Sequence, residues 1–516
     1  VNRAEQFGRL TVYGFLLCFF VLPVVLIGYR GLSEFRMDLV PAVLPVLGAT
    51  FVQALSSTLA ALCIALPIAW AVTQSTGRWA DAVLLWVAIP FVVPTPVAAA
   101  MAVSVCGPQS FCGTLFGIEV AQGFGFVVVV QAWYNAGVIV RVVSQAWTSI
   151  NARYTHAAAT LAAPPGRQFW TVTGPLLIPS LVNSALIVLL YCIGSFGVIV
   201  LLGGGRLVSL EVEIWRQTSQ FLRIDSATIL ALVQVGLSVV LLATADRVSG
   251  MVTLTPTPVR VVPQRKWTTI FATAITILTI VSFVLPYVTL LPKAFGTSTP
   301  FAAFTALQSP VRGSGMTVSP LVTLWRSVWV ASLVTLCTMG VAWIATAPRT
   351  ALRQWVVLPI GVSTITLSLG YVLWFGPLGW LASPWLLVAV HTIMAAPLVA
   401  RQLMIARDRV PGHYRAAAQT LGTTPLRTWW AVEVPLLRRP LQAAALFAFA
   451  LSFGDYAAAL VLSRPDSATA PVLIARLLNR PGALNYAMSA ALSVVFIACC
   501  VAVMLVVHRA TVEQEH

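Results

Sequence analysis

The chain has 516 residues, 59% hydrophobic and only 9% charged, with a mean hydropathy of +0.90, whereas a soluble domain carries about 25% charged residues. That composition excludes a water-soluble globular fold and makes lipid the expected solvent. The formal net charge of +16 does not describe a nucleic-acid surface, because the basic residues are scattered through short loops between apolar runs.

A bilayer core of about 30 Å needs about 20 apolar residues per helix. Twelve runs of that kind are predicted as membrane helices, at about 10–29, 48–73, 82–105, 123–144, 176–202, 227–246, 268–292, 319–346, 354–377, 384–406, 440–463 and 486–508. The expected fold class is an all-α polytopic membrane protein. The first run is followed by Tyr29-Arg30-Gly31 and lacks the small-residue pattern of a cleaved signal, so it reads as a retained helix. The second, fifth, eighth and eleventh runs carry or adjoin Gly and Pro, which membrane helices tolerate when neighbours re-satisfy the backbone.

After the third run come Cys106 and Cys112, in a segment predicted to face outward. A loop disulfide and two free thiols both fit there. Cys18, Cys63, Cys192, Cys337, Cys499 and Cys500 lie inside apolar runs and read as small buried hydrophobes rather than metal ligands. Between the fourth and fifth runs lies an Ala-rich polar segment, a breaker at Pro164-Pro165-Gly166, and a second short arm ending in Pro175-Leu176-Leu177. It is predicted to lie on the cytoplasmic surface as a helix–turn–helix, with Arg153 and Arg167 at its rim. Further on, Gly203-Gly204-Gly205 reads as a flexible helix-end turn. Glu211 and Glu213 beyond it suit either contact with an external protein or a solvated surface.

The segment around 248–267, rich in Thr, Pro and basic residues, reads as an extended cytoplasmic linker. His391, inside the tenth run, is expected to be a hydrogen-bonded structural residue. The segment between the tenth and eleventh runs repeats the earlier one, with Arg415 and Arg427 at its rim. Within the eleventh run stands Asp455, and a carboxylate in a membrane is a functional candidate. Trp267, Trp355 and Trp380 fall near run ends, as interfacial belts require.

The similarity of the two polar segments is an internal repeat. Residues 154–177 align without gaps to 414–437, an offset of 260, with 12 of 24 positions identical, where chance in this composition gives roughly two or three. Leu62-Cys63 and Ala69-Trp70 are echoed by Leu336-Cys337 and Ala342-Trp343, and Ser195-Phe196-Gly197 by Ser452-Phe453-Gly454. The expected domains are a first repeat over 1–247 with its loop at about 150–179, the linker at 248–267, and a second repeat over 268–516 with its loop at about 410–440. Six crossings per repeat give both copies the same orientation. With a cytoplasmic amino terminus, 20 of the 31 Lys and Arg fall on the cytoplasmic side, as the positive-inside rule requires, and both termini are cytoplasmic.

The two polar loops resemble the EAA loops of binding-protein-dependent ABC importers. The alanines of that pattern fall on Ala157-Ala158 and Ala417-Ala418, its Glu on His156 and Ala416, and its Gly on Ala162 and Gly422. Neither copy keeps the Glu, and the first has Ala for Gly. Ile89-Pro-Phe-Val-Val-Pro-Thr-Pro-Val97 is similar to the third-helix signature of type I permeases. Ser195-Phe-Gly-Val-Ile-Val-Leu-Leu-Gly-Gly-Gly205 with Leu210-Glu-Val-Glu-Ile-Trp-Arg-Gln217 is similar to the fused ferric-iron and thiamine permeases. The resemblance implies a type I permease fold in a bacterial inner membrane and a transport subunit that is not an enzyme. It implies two copies of a separate ATP-binding subunit docked on the loops, ATP and Mg held there, and an extracytoplasmic solute-binding protein. Substrate would pass near Ser195, Phe196, Gly197, Ser452, Phe453, Gly454 and Asp455. Ferric iron and thiamine lead as substrates, with polyamine, sulfate and phosphonate behind.

No cofactor or metal is expected on this chain. Its two lysines, Lys266 and Lys293, do not follow Gly, so no phosphate-binding loop exists. An ion-driven secondary transporter would place ionisable residues along several helices. A membrane enzyme would cluster its His, Asp or Glu. Neither pattern is present, and neither accounts for matched loops.

Overall fold

A computed structural model of the chain describes residues 3–33, 40–75, 78–108, 110–117, 119–150, 154, 158, 160–249, 266–296, 301–310, 318–347, 350–381 and 383–512. All regular structure among them is helical. Among the described residues eleven helices are long and apolar enough to cross a membrane, twelve if one sharply bent pair is a single span. In chain order they are α1 (Gln6–Ser33), α2 (Pro41–Gln74), α3 (Thr95–Phe116), α4 (Phe124–Thr148), α5 (Gly166–Ile193), α6 (Ile224–Val248), α7 (Trp267–Phe295), α8 (Pro320–Ala345), α9 (Thr364–Phe375, bent by 103° from Leu352–Gly361), α10 (Pro384–Asp408), α11 (Trp429–Phe453) and α12 (Ala483–Val503).

Several runs read as continuous are interrupted, for local reasons. The third divides into Arg78–Val92 and Thr95–Cys106, where Pro94 cannot donate to a preceding turn. The fifth and eleventh stop at Ile193 and Phe453 and resume as the short helices Gly197–Leu202 and Ala457–Leu462. Near the start of α5 and α11 a π-helical turn forms, over Phe169–Thr173 and Trp429–Glu433. In each, the closing bond reaches back five positions, Gly174 N–H to Phe169 O and Val434 N–H to Trp429 O. A proline follows directly, Pro175 or Pro435. It has no N–H to give, and the widened turn accommodates its ring.

Element boundaries recur 260 residues apart: both ends of α4 and α10, both π turns, the ends of α5 and α11, and both short helices. In this register Asp455 answers Ser195, whereas the Ser-Phe-Gly echo sets it against the apolar Val198. The sequence echo between Ser195-Phe196-Gly197 and Ser452-Phe453-Gly454 is three residues out of step with the helices.

The chain packs as two compact units, residues 35–216 with 233–296, and residues 1–34, 217–232 and 297–516. The first holds α2 to α5, α7 and most of α6. Small residues line its core, including Ala54, Ala61, Ala65, Ala132 and Ala136, and small side chains let membrane helices approach closely. Gly137 shows how closely, since a Cβ there would stand 2.2 Å from the Val87 carbonyl oxygen. Helix α7 joins through Phe283 stacked on Trp133 at 5.7 Å and a Thr289–Ser104 hydroxyl contact of 2.9 Å.

The second unit holds α8 to α12 and α1. Phe19 of α1 stacks on Phe375 of α9 at 5.4 Å, and Gly370 admits Pro23, which a Cβ would meet at 2.8 Å. Each unit makes the same cap on a short helix. Thr50 Oγ1 accepts from Leu210 N–H at 2.9 Å in the first, and Ser327 Oγ accepts from Ala470 N–H at 2.9 Å in the second. Such a bond occupies a backbone donor that a helix start leaves open.

Candidate coupling loops and polar membrane core

The second loop is described almost completely. Helix Gly412–Thr420 is followed by a tight turn and the short helix Pro425–Thr428. Gly422 turns the chain at φ +73°. Leu421 N–H donates to Ala417 O at 3.2 Å, and Thr423 N–H and Oγ1 both donate to Ala418 O, at 3.2 and 2.7 Å. Of its three alanines, Ala416 and Ala417 are exposed and Ala418 is buried. Ala418 therefore packs the helix on its base, and the other two form the approachable face.

In the first loop, His156 and Ala157 lie outside the described residues. Ala158 is half-buried, and Ala163 N–H donates to its carbonyl at 3.3 Å, the bond that Thr423 makes to Ala418. Ala162 stands where Gly422 stands, at φ +54°. That position needs a left-handed residue, so Ala is strained there by about 1–2 kcal/mol. Glycine's role in this pattern is thus conformational as well as steric.

Sequence reasoning missed the most exposed feature of both loops. Leu161 and Leu421, one residue before the left-handed turn, are each 83% exposed. Trp170 and Trp430 are also exposed. The available signal was an identical apolar residue at the same point of two otherwise polar segments.

Among the membrane-core candidates, Phe196 is buried against Trp215, and Phe453 is buried and stacked on Phe496 at 4.0 Å. Gly197 opens its short helix, Ser195 is half-buried and Gly454 caps α11. Ser452, Asp455 and His391 form one cluster. His391 Nδ1 lies 2.9 Å from Ser452 Oγ, and Nε2 lies 3.0 Å from Asp455 Oδ2. The same Oδ2 accepts from Ala458 N–H and Ala459 N–H at 3.0 and 3.3 Å, capping the short helix after the break. His391, read as a lone hydrogen-bonded residue, is thus the partner of the carboxylate singled out 64 residues later. In the first unit the equivalent of His391 is Gln131, which is buried and bonded to Gln53.

Glu211 matches neither open reading. It is 1% exposed and accepts from Gln234 Nε2, while Glu213 pairs with Arg216 at 3.3 Å. Gly204 and Gly205 turn the chain at positive φ after Gly197–Leu202. Cys106 and Cys112 are free thiols with sulfurs 3.3 Å apart. Among the described residues no three His, Cys, Asp or Glu converge as metal ligands.

Helices of membrane length and breaks at matching positions define a multi-pass membrane protein built on a duplicated unit. No protein-family model matches the chain. It is 26% identical over 505 residues to the thiamine transport system permease protein of Brucella suis biovar 1 (strain 1330), covering 90% of this chain and 87% of that protein. It is 30% identical over 152 residues to the molybdenum transport system permease protein of Azotobacter vinelandii, covering 29% of this chain and 67% of that protein. It is 27% identical over 239 residues to a probable sulfate transport system permease protein of Chlorokybus atmophyticus, covering 44% of this chain and 83% of that protein. The chain belongs to the ABC-importer permease superfamily, as a multi-pass inner-membrane component whose role is transport and not catalysis.

Proposed function

We propose that this chain forms the translocation path of an ATP-driven importer. Two copies of a separate ATP-binding subunit, which hold ATP and Mg, grip the cytoplasmic loops at 154–177 and 414–437. The two repeats, 1–247 and 268–516, rock around the path, and an extracytoplasmic binding protein delivers the substrate. The observation that carries this reading is the pair of leucines, each 83% exposed at the same turn of the two loops. An apolar side chain held out at a turn has no stabilising role within its own chain, and exposed apolar groups rimmed by polar residues mark contact sites.

Thiamine is the first candidate substrate and ferric iron the second. Supporting thiamine is the extent of the match, 90% of this chain against 29% for the molybdenum relative. A carboxylate at the α11 break also suits a cation better than an oxyanion. The test is co-expression of this chain with a candidate ATP-binding subunit and binding protein from the same genome, followed by uptake into vesicles. ATP-dependent accumulation of labelled thiamine is expected. Accumulation that follows an ion gradient without any ATPase bound would support an ion-driven transporter instead.

A further inference from the structure

The two loops are joined to their helix bundles by different chemistry. In the second unit the joint is a charged corner. Arg407, in the last turn of α10, donates from Nη1 to Trp343 O at 2.8 Å and to Thr346 Oγ1 at 3.0 Å. Its Nη2 reaches Glu433 Oε2 at 3.5 Å, and its guanidinium lies 4.1 Å from the centre of the Trp343 ring. The Arg407 and Glu433 side chains are 7% and 13% exposed. Glu433 ends the π turn between the loop and α11, and Trp429, which begins that turn, meets Trp343 edge-on at 5.5 Å. Arg353 closes the corner, holding Asp408 through two nitrogens and donating to Thr346 O. Two carbonyls at the C-terminal end of α8, that of Trp343 and that of the capping residue Thr346, thereby receive cations.

Gln402, Ile405 and Arg409 lie on the face away from Arg407, as helical periodicity requires. There a cleft of 560 Å³ separates them and Tyr414 from Leu437 and Pro440.

The first unit has none of this chemistry at the equivalent positions. Trp147, Thr148 and Thr173 occupy the places of Arg407, Asp408 and Glu433, and the joint is a ring contact between Trp147 and Phe169 at 5.8 Å. A buried ion pair with several directed bonds has one geometry. Two rings in van der Waals contact can slide.

The geometry points to Arg407 as a positioning residue, the strut through which movement of the second docking loop reaches the ends of α8 and α10. The two loops then transmit unequally: the second rigidly through the Arg407–Glu433 corner, the first through a sliding aromatic contact. This rests on the docking role proposed above for the loops.

The test is hydrogen–deuterium exchange on the assembled complex of this chain with its ATP-binding subunit, without nucleotide and with ATP plus vanadate. In the unaltered complex, exchange is expected to change with nucleotide both in residues 412–420 and in residues 336–346. In Arg407→Gln the nucleotide response of 412–420 should persist while that of 336–346 shrinks about tenfold, inside the usual range of coupling between sites. Glu433→Gln, a milder change in case Arg407→Gln does not assemble, should shrink the 336–346 response in the same sense. Trp147→Phe in the first repeat should leave it unchanged. A merely structural role would raise exchange at 336–346 equally in both nucleotide states. That result, or a full nucleotide response in Glu433→Gln, overturns the proposal. An unaltered chain that binds no ATPase would instead remove the docking reading beneath it.

Discussion

Replacing Leu421 by Ala perturbs the docking surface without touching the loop's own bonds, because the side chain is 83% exposed and the turn is held by backbone and Thr423 contacts. Full burial of a leucine stabilises by about 1.5–3 kcal/mol. Covering most of this one on docking therefore contributes about 2 kcal/mol, or about 30-fold in Kd. Leu161, equally exposed, should give the same loss on the other loop. The two sites face different copies of the ATPase, so the double variant should lose about 30-fold at each site, about 4 kcal/mol summed over the two copies. The assay is titration of purified ATP-binding subunit onto this chain in lipid nanodiscs. Leu222, 75% exposed before α6 on the side predicted to face outward, is the control, and Leu222→Ala should bind as the parent does. Parent-like binding by both Leu161→Ala and Leu421→Ala, or an equal loss in Leu222→Ala, would refute the reasoning.

Ala162→Gly relieves the left-handed alanine and should stabilise the first loop by about 1 kcal/mol, whereas Gly422→Ala should destabilise the second by a similar amount. Slower proteolysis at the first loop and faster at the second would register both. His391→Ala leaves the buried side of Asp455 and Ser452 without its partner and should cost the second unit about 1.5–3 kcal/mol, read as lower thermal stability in detergent. Gly137→Ala sets a Cβ against the Val87 carbonyl and should cost at least about 1–3 kcal/mol; an unchanged melting temperature would mean that α4 does not approach that closely. Thr50→Val and Ser327→Ala remove the matching caps on Leu210 and Ala470, each expected to cost about 1 kcal/mol.

The sequence carried the helices well, because lipid imposes a length and an apolarity that a run of residues either meets or does not. It carried the loops as well, through identities at a fixed offset. Helix interruptions were harder to see. At residues 194–196 and 454–456 the backbone breaks inside an apolar run, and in the second unit Asp455 Oδ2 takes the open N–H groups of Ala458 and Ala459 from within. The register of that break was misread by three residues because Ser-Phe-Gly recurs as letters at one offset while helix ends recur at another. The His391–Asp455 and Arg407–Glu433 pairs were invisible for a different reason. Their partners lie 64 and 26 residues apart and meet only when α10 packs on α11. Nor does periodicity show that α1 packs with the helices of the second repeat, which the Phe19–Phe375 stack and the Pro23–Gly370 contact determine.

The central claim is that both loops are held by one kind of cytosolic motor. A photo-crosslinking residue placed at 161 or at 421, activated in native membranes, tests it most directly. Both positions should capture the same ATP-binding polypeptide, more strongly with nucleotide trapped. Capture of only lipid or of a protein on the outer face, from either position, would contradict the account.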